Sequence, residues 1–317
     1  MTIHVLSLHR LSDDQQAQIR ASRPDIELSV AEAKDCAPFL PDAEVLLAFG
    51  QTDLAPILPA APKLRWVHAL TAGVDQWLTL DAMRHSDILL TNSRGIHGIP
   101  IAEHVLGMML CHSRCLLTAH DNQLRQKWAS LKGIDELYGK TAAIIGLGSV
   151  GSEIARHLKA MDMRVIGVKK TKTKEPFVDV LYENGDLDEA LSAADFVIVT
   201  LPLLPETIGL FSLPLFRKMK PTAGFINVAR GPIINESDLV RALTEKAIGW
   251  AALDVFQEEP LPGDSPLWTA PNLMITPHHA ASSPRYMERA IALFIGNLQL
   301  YPGTKTMKNI IDKERGY

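Results

Sequence analysis

The sequence predicts an α/β protein of two domains, each built on a parallel β-sheet that helices cover on both faces. Three observations favour this class. The chain has 317 residues, more than a single hydrophobic core usually holds. Short runs rich in Val, Ile and Leu recur, and their continuous apolar character is typical of strands buried on both faces. Segments of helical length separate these runs, as in a chain that alternates strand and helix.

The predicted strands follow one another along most of the chain. In the first hundred residues they are "IHVLSL" (3–8), "IELSV" (26–30), "EVLLAF" (44–49), "LRWVHAL" (64–70) and "DILLTN" (87–92). Later ones are "TAAIIG" (141–146), "RVIGV" (164–168), "DFVIVTL" (195–201), "GFINVA" (224–229), "GWAALDVF" (249–256) and "LMITP" (273–277).

A long helix is predicted from Gly98–Pro100 to about Lys127, and the domain boundary is placed at its start. The apolar positions that fit one buried helical face are Ile101, Val105, Met108, Met109, Cys111 and Leu116. A second amphipathic helix, "RYMERAIALFIGNLQLY", follows Ser283 and has no strand of its own to cover. It could therefore return to the first domain and make that domain discontinuous.

Composition narrows the class of protein. A net charge of −4 and a pI near 6.3 argue against a general nucleic-acid binder. Cys36, Cys111 and Cys115 lack C-x-x-C spacing, which indicates reduced thiols. The first residues show no signal-peptide pattern, and the most apolar helix is too short and too often interrupted by charge to cross a bilayer. We therefore expect a cytoplasmic protein.

A glycine motif, Gly146-x-Gly148-x-x-Gly151, lies within "GKTAAIIGLGSVGSEIARHLKAM". A predicted strand runs directly into it and a helical pattern follows, and in that context the motif indicates a dinucleotide site. Gly146 permits a tight turn, Gly148 lets the backbone approach a pyrophosphate, and Gly151 lets the helix pack on the strand. The helix start offers free N–H groups to phosphate. The alternative is a plain glycine-rich turn.

Lysines follow the next strand in the stretch "VIGVKKTKTKEP". An NAD site would carry Asp or Glu at this strand end to bind the ribose 2′-hydroxyl, yet the strand is followed by Lys169 and Lys170. We predict that these two lysines lie at the 2′-phosphate, so that NADP(H) is preferred and NAD(H) remains usable. Lys172 and Lys174 are expected to be only solvated.

Polar residues follow three later strands at the edge where α/β folds bind ligands: Arg230, Glu259 and His278. Arginine holds a carboxylate or carbonyl through a planar fork, and histidine can donate a proton near neutral pH. A carboxylate beside the histidine fixes its tautomer and favours its protonated form. These are the groups that the reduction of a ketone by hydride transfer requires.

With these motifs in this order, the sequence resembles the D-isomer-specific 2-hydroxyacid dehydrogenase family. The matching segments are "TAGVDQW", "TNSRGIHGIPIAEHVLGMML", "ELYGKTAAIIGLGSVG", "TLPLLPET", "MKPTAGFINVARGPIINESDLVRAL", "ALDVFQEEPLP" and "NLMITPHHA". The resemblance covers nearly the whole chain. It implies two Rossmann-like or flavodoxin-like domains with a cleft between them. The substrate domain would comprise residues 1–99 and 283–317, and the dinucleotide-binding domain residues 100–282.

The resemblance also implies the catalytic set. Arg230 would bind the substrate's carboxylate and carbonyl, and His278 would act as general acid in reduction and base in oxidation. Glu259 would pair with His278, and it is preferred over Glu258 because it directly precedes Pro260. The implied substrate-binding residues are Ala72, Gly73, Val74, Arg230 and His278.

For the cofactor, Asp254 matches the acid expected near the nicotinamide carboxamide. Position 169 departs from the family pattern, because the acid expected there is missing, and this puts NAD use in doubt. Taken together, the predicted cofactor-binding residues are Gly146, Gly148, Ser149, Val150, Gly151, Lys169, Lys170, Thr171, Leu201, Pro202, Thr207, Val228, Ala229, Arg230, Asp254, His278 and Ala280. The expected reaction is reduction of a small 2-ketoacid to the (R)-2-hydroxyacid, without nucleic-acid or membrane partners. A homodimer through the cofactor domains is also implied, with the 101–127 helix as a candidate contact.

Other histidines leave choices open. Adjacent side chains of an extended chain point to opposite sides, so only one histidine of the "HH" pair should serve the site, and the family pattern selects His278 over His279. For His97 two alternatives stay open, contact with substrate and packing at the domain junction. No Cys/His spacing indicates a metal, and none is expected.

Two rival functions share parts of these patterns. A dinucleotide-sensing regulator, such as a corepressor of the same fold, could carry the same three residues, and turnover would distinguish it from an enzyme. An adenosyl-nucleotide enzyme could use the same glycine turn, but it gives no reason for the Arg, Glu and His set.

Overall fold

The computed structural model describes residues 2–171, 175–304 and 306–314. The chain separates into two compact units: unit 1 is Met1–Ile96 with Ser283–Tyr317, and unit 2 is His97–Ser282. The sequence placed the first division after residue 99 and the second after residue 282. In the structure the first division falls just before the helix that begins at Gly98.

Unit 1 is built on a parallel sheet. Its strands are β1 (Ile3–Ser7), β2 (Ile26–Val30), β3 (Val45–Ala48), β4 (Trp66–Ala69) and β5 (Leu89–Asn92). Its helices are α1 (Asp13–Ala21), α2 (Asp75–Leu78), α3 (Asp81–Arg84) and the C-terminal α10 (Tyr286–Leu298). Among the described residues the strand order is β2-β1-β3-β4-β5. This order doubles back at β1, as in other doubly wound sheets.

The C-terminal helix α10 is part of the core of unit 1. Its Ala290, Ile291, Phe294 and Leu298 are fully buried in one cluster with sheet residues such as Trp66. The rings of Trp66 and Phe294 lie 5.2 Å apart between centroids. Burial of a large apolar side chain contributes about 1.5–3 kcal/mol to stability. This burial holds α10 in the same unit as the first strands of the chain.

Unit 2 is built on a larger parallel sheet. Its strands are β6 (Thr141–Ile145), β7 (Arg164–Val168), β8 (Val180–Tyr182), β9 (Phe196–Val199), β10 (Gly224–Asn227), β11 (Trp250–Leu253) and β12 (Leu273–Ile275). Its helices are α4 (Gly98–Ser113), α5 (Leu116–Leu124), α6 (Ser149–Ala160), α7 (Leu187–Ala193), α8 (Leu213–Phe216) and α9 (Glu236–Thr244). In the described part of the chain the order is β12-β11-β10-β9-β6-β7-β8.

The strand order of unit 2 places its ligand edge. From β6 the chain moves outward to β7 and β8, and then returns to β9 on the other side of β6. Ligands of such sheets bind beyond the carboxyl ends of the strands at this switch point. The turn after β6 lies directly at this point.

Two local features differ from the sequence-based prediction. The long helix is broken between α4 and α5, because Cys115 adopts a left-handed conformation with φ 53°. A short edge strand, β8, pairs with β7 and had not been predicted, since three half-buried residues carry little periodic signal. In the described ranges, no helix is both long and apolar enough to span a bilayer.

Candidate active site

The glycine turn connects β6 to α6. Gly146 adopts φ +105°, and a Cβ on Gly151 would lie 2.1 Å from the carbonyl oxygen of Gly146. Both positions therefore require glycine, one for its backbone conformation and the other for close packing. Gly148 is exposed, and a Cβ there would meet nothing within 4 Å. The open side of the turn is thus free for a ligand to approach the backbone.

The turn fits a dinucleotide. α6 has twelve residues and begins at Ser149, so its first N–H groups and the positive end of its dipole face the same open side as Gly148. Thr200, which follows β9, closes the other side of the turn by donating its hydroxyl to the carbonyl oxygen of Gly146 at 2.5 Å. This rigid turn suits a pyrophosphate.

The tip of β7 carries both a lysine and an acid. Lys169 Nζ lies 2.5 Å from Oε1 of Glu175, and the Ser152 hydroxyl donates to Oε2 of Glu175 at 3.3 Å. Lys170 and Thr171 are exposed beside them. The sequence had indicated that no acid lay near until Glu175, but it could not show that Glu175 folds back onto Lys169. Lys172 and Lys174 lie outside the described residues.

Glu259 and His278 come together as predicted. His278 Nδ1 lies 2.5 Å from Oε2 of Glu259, while the other carboxylate oxygen accepts from the backbone N–H of Phe256 at 2.9 Å. Glu258 is exposed and is not the partner. The His278 side chain is 48% exposed and that of Glu259 34%, so the pair is open to a ligand. With Nδ1 held by the carboxylate, Nε2 is the nitrogen available for proton exchange.

The prediction that the two histidines lie in extended chain, with side chains on opposite sides, was wrong. His278 adopts a left-handed backbone conformation, with φ 49°. Hydrogen bonds to Asp254 distinguish the two residues instead. The His278 N–H donates to the carbonyl oxygen of Asp254 at 2.8 Å, and the His279 N–H donates to the Asp254 carboxylate at 3.1 Å. The imidazole of His279 lies against His104, with ring centroids 5.1 Å apart.

Asp254 supports the loop that carries His278. Its carboxylate is buried and accepts from the backbone N–H of Ala280 and from the hydroxyl of Thr276, at 2.9 and 2.6 Å. Because the Thr276 hydroxyl proton is used there, its oxygen accepts from Nε2 of His104 at 3.0 Å. Atoms of His104, Asp254 and His279 lie within 4.8 Å of one another, but these hydrogen bonds already engage the His104 nitrogen and the carboxylate that a metal would need.

Arg230 follows β10, the strand next to β11. Its guanidinium is exposed and Nη1 donates to the carbonyl oxygen of Ala229 at 2.8 Å, while Asn227 donates to the carbonyl oxygen of Arg230 at 3.1 Å. The next residue, Gly231, packs so closely on Phe256 that a Cβ would lie 1.9 Å from its backbone. The backbone at Arg230 is therefore fixed although its side chain reaches solvent.

His97 is buried at the start of α4 in unit 2. Burial, with a smaller contribution from the positive charge of Arg230, lowers the pKa of His97 to about 4. The imidazole is therefore neutral at pH 7. Its proximity to Arg230 is a feature that the sequence did not show.

The remaining predicted residues have the following positions. Leu201 and Pro202 follow β9, and Thr207 donates its hydroxyl to the carbonyl oxygen of Pro202 at 2.8 Å, so this turn is internally braced. Ser149 and Val150 form the first turn of α6, and Val228, Ala229 and Ala280 are buried beside the ligand edge. In unit 1, the carbonyl oxygens of Ala72 and Gly73 accept from Asn92 and Thr71, and Val74 is buried.

A cavity of about 500 Å³ lies beside the Glu259–His278 pair in unit 2. Its lining is largely apolar: Phe256, Glu259, Pro260, Leu261, Trp268, Ile275, Pro277 and His278. The pair therefore has one apolar side, which is a common setting for the polar groups of a small-molecule site.

Known proteins resemble this chain in sequence. Residues 106–280 match the model of the NAD binding domain of D-isomer specific 2-hydroxyacid dehydrogenases. A glyoxylate reductase from Korarchaeum cryptofilum is 30% identical, over 92% of this chain and 87% of its own. A D-3-phosphoglycerate dehydrogenase from Archaeoglobus fulgidus is 33% identical, over 88% of this chain and 53% of its own. The chain thus spans about half the length of the phosphoglycerate dehydrogenases that it matches.

A solved structure matches the chain from end to end. It is an NADPH-dependent glyoxylate/hydroxypyruvate reductase from Sinorhizobium meliloti in complex with NADP and sulfate. It is 28% identical, covers 100% of both chains and superposes with a TM-score of 0.83. The predicted fold class, two α/β domains with parallel sheets, is confirmed by this likeness.

Proposed function

Because the chain belongs to the D-isomer-specific 2-hydroxyacid dehydrogenase family, we propose that it reduces a small 2-ketoacid to the (R)-2-hydroxyacid, with NADP(H) preferred over NAD(H). Relatives in this family are NAD(P)-dependent oxidoreductases that act on CH–OH donors. The observation that carries the proposal is the 2.5 Å contact between His278 Nδ1 and Glu259 Oε2, on the sheet edge that also bears the glycine turn.

Three side chains have proposed roles in the reaction: those of Arg230, His278 and Glu259. Bound NADPH supplies the hydride. The guanidinium of Arg230 holds the substrate carboxylate and polarises the ketone oxygen, since it stays charged and offers a planar fork. Nε2 of His278 gives the proton to that oxygen, and Glu259, itself held by the Phe256 N–H, orients the imidazole by contacting Nδ1. Binding of the substrate carboxylate by the backbone at Ala72, Gly73 and Val74 stays a prediction.

The proposed cofactor residues begin with Gly146, Gly148 and Gly151, whose turn fits a pyrophosphate. Lys169 and Lys170 are proposed to bind the 2′-phosphate, because both follow β7 at the edge where the adenosine ribose binds in this fold. The NADP complex of the Sinorhizobium meliloti reductase supports this choice. Asp254 is proposed to support the site by accepting hydrogen bonds from the loop that carries His278.

Reversing the charge of Lys169 tests the cofactor preference. In Lys169→Asp we expect the NADPH/NADH ratio of kcat/KM to fall about ten- to a hundred-fold, because a charge-assisted contact of about 1.5–3 kcal/mol is lost. Lys218→Asp, an exposed lysine paired with Asp188 after α8, makes the same charge change elsewhere and should leave the ratio unchanged. An unchanged ratio in Lys169→Asp and in Lys170→Asp would remove both lysines from the cofactor site.

Turnover separates the enzyme from a dinucleotide-sensing regulator. We expect oxidation of NADPH with at least one of glyoxylate, hydroxypyruvate, pyruvate or a longer 2-ketoacid, measured by absorbance with both cofactors. Binding of NADPH without turnover on this panel would favour the regulator instead.

A homodimer is part of the proposal. In α5 no residue is buried, and α5 and the segment that follows it expose several large apolar side chains, which supports an interface here. These exposed residues are Leu116, Leu117, Leu124, Trp128, Ile134 and Tyr138. A cytoplasmic location remains a prediction, in keeping with the three cysteines being free thiols.

Light scattering tests the dimer. The wild type should have twice the chain mass of 34.9 kDa, and Leu124→Glu with Trp128→Glu should shift it to the monomer mass at the same concentration. Leu300→Glu, at an exposed leucine of unit 1, is the matched control and should remain dimeric. A monomeric wild type, or a double variant that stays dimeric, would contradict this interface.

A further inference from the structure

Glu175 occupies an unusual place for a carboxylate in a site that is proposed to bind a 2′-phosphate. It follows the tip of β7, and its side chain turns back to Lys169, with Nζ and Oε1 2.5 Å apart. Its second oxygen accepts from the hydroxyl of Ser152 in α6, at 3.3 Å. Only 13% of the Glu175 side chain and 29% of the Lys169 side chain are exposed, so the ion pair is largely sheltered from solvent.

The two contacts of Glu175 locate it between α6 and the tip of β7. In a sheet of this topology the adenosine ribose lies there, above the end of the second strand of the cofactor domain. A carboxylate in this position can accept from a ribose 2′-hydroxyl, but it repels a 2′-phosphate. The chain therefore brings an acid to the place where the strand is followed by lysine.

Lys169 consequently has two alternative anionic partners, the carboxylate of Glu175 and the 2′-phosphate of a bound cofactor. Both are oxygen anions, and one ammonium group held at 2.5 Å by the first has to be shared with, or released to, the second. NADH makes no such demand, since its 2′-hydroxyl is neutral and can donate to the carboxylate while the ion pair persists.

We propose that Glu175 is a built-in competitor of the 2′-phosphate and sets the cofactor preference of this enzyme below the level that Lys169 and Lys170 alone would give. This inference rests on the proposed function, because it concerns the same dinucleotide site. It assigns Glu175 a role in specificity that opposes that of its own ion-pair partner. The enzyme would thereby keep some capacity for NADH although lysine follows β7.

Glu175→Gln tests the inference directly, because glutamine keeps the shape and the acceptor for Ser152 and removes only the charge. Kd for NADPH and for NADH is measured by fluorescence titration of the full chain. We expect Kd for NADPH to fall about tenfold and Kd for NADH to stay the same or rise. Glu245→Gln removes the same charge at the end of α9, where Glu245 pairs with Arg217 and Arg241, and should change neither value.

The same variant in a Lys169→Met background shows whether the competition is for Lys169. We expect the gain in NADPH affinity from Glu175→Gln to be clearly smaller without the lysine. An equal gain in both backgrounds would overturn the competition for Lys169. An NADPH/NADH ratio within about twofold of wild type in Glu175→Gln would overturn the role of Glu175 altogether.

Failure of this inference and failure of the proposed cofactor preference give different results. If the wild type prefers NADPH and Glu175→Gln leaves the ratio unchanged, only the inference fails. If the wild type prefers NADH and Glu175→Gln moves the ratio toward NADPH, the inference holds and the proposed preference fails. Titration with adenosine 2′,5′-bisphosphate, compared with ADP, checks that the change lies at the 2′-phosphate.

Discussion

Replacing His278 with Gln is expected to lower kcat for 2-ketoacid reduction by about 10²–10⁴-fold, the usual contribution of a general acid. Glutamine can still accept and donate hydrogen bonds, but it cannot deliver a proton to the ketone oxygen. The backbone N–H of His278 donates to the carbonyl oxygen of Asp254 at 2.8 Å, so the loop should keep its conformation in the variant. Kd for NADPH should therefore remain within about threefold of wild type.

The neighbouring histidine provides a matched control. His279→Gln makes the same change one residue along, at a ring that lies against His104 rather than Glu259. We expect its kcat to stay close to that of wild type. Comparable losses of kcat and of NADPH binding in His278→Gln, or equal losses of kcat in both variants, would contradict proton donation by His278.

The second large effect is expected at Arg230. Arg230→Met should lower kcat/KM for the 2-ketoacid by at least about 10²–10³-fold, because it removes the donors that stabilise charge on the ketone oxygen. Arg230→Lys keeps the charge but loses the planar fork, so it should recover only part of the activity. Both kcat/KM and kcat are measured, and the loss should appear in both, since the contact strengthens in the transition state.

Two further measurements sharpen the test at Arg230. Added guanidinium ion should restore part of the activity of Arg230→Ala, but not that of His278→Gln. Arg217→Met, which removes an exposed arginine paired with Glu245, should behave like wild type. Full activity of Arg230→Lys would mean that a point charge is sufficient and that Arg230 does not hold the substrate through its fork.

Much of the site followed from the order of strands in the sequence. Arg230, Glu259 and His278 each follow a continuous apolar run, and parallel strands bring their carboxyl ends to one edge. The glycine turn was also predictable, because its glycines stand between an apolar run and a helical pattern; the structure requires Gly146 for its backbone conformation and Gly151 for close packing. The choice of Glu259 over Glu258 came from the resemblance, and the structure places its carboxylate against His278.

Other features could not be predicted, because they depend on side chains that meet across loops. The side chain of Glu175 contacts that of Lys169, six residues earlier, and no periodicity encodes that contact. The proximity of His97 to Arg230 joins two segments that are far apart in sequence. The left-handed conformation of His278 arises in a loop tied to Asp254, where the alternation of an extended strand no longer applies.

Asp254 illustrates how the structure refines a predicted role. The resemblance placed it near the nicotinamide carboxamide, and its carboxylate accepts from backbone N–H groups of His279 and Ala280 and from Thr276. These contacts hold the segment that carries His278, so Asp254 stabilises the conformation of that segment.

Transfer of a hydride to C2 of a 2-ketoacid is the activity that we propose for this chain. The most direct measurement is product analysis after turnover with NADPH that carries deuterium in both positions at C4 of the nicotinamide, with glyoxylate, hydroxypyruvate and pyruvate as substrates. We expect deuterium at C2 of the 2-hydroxyacid and, where C2 is a stereocentre that carries a side chain, the (R) product. A product without deuterium, an (S) product, or no product with any 2-ketoacid would contradict it.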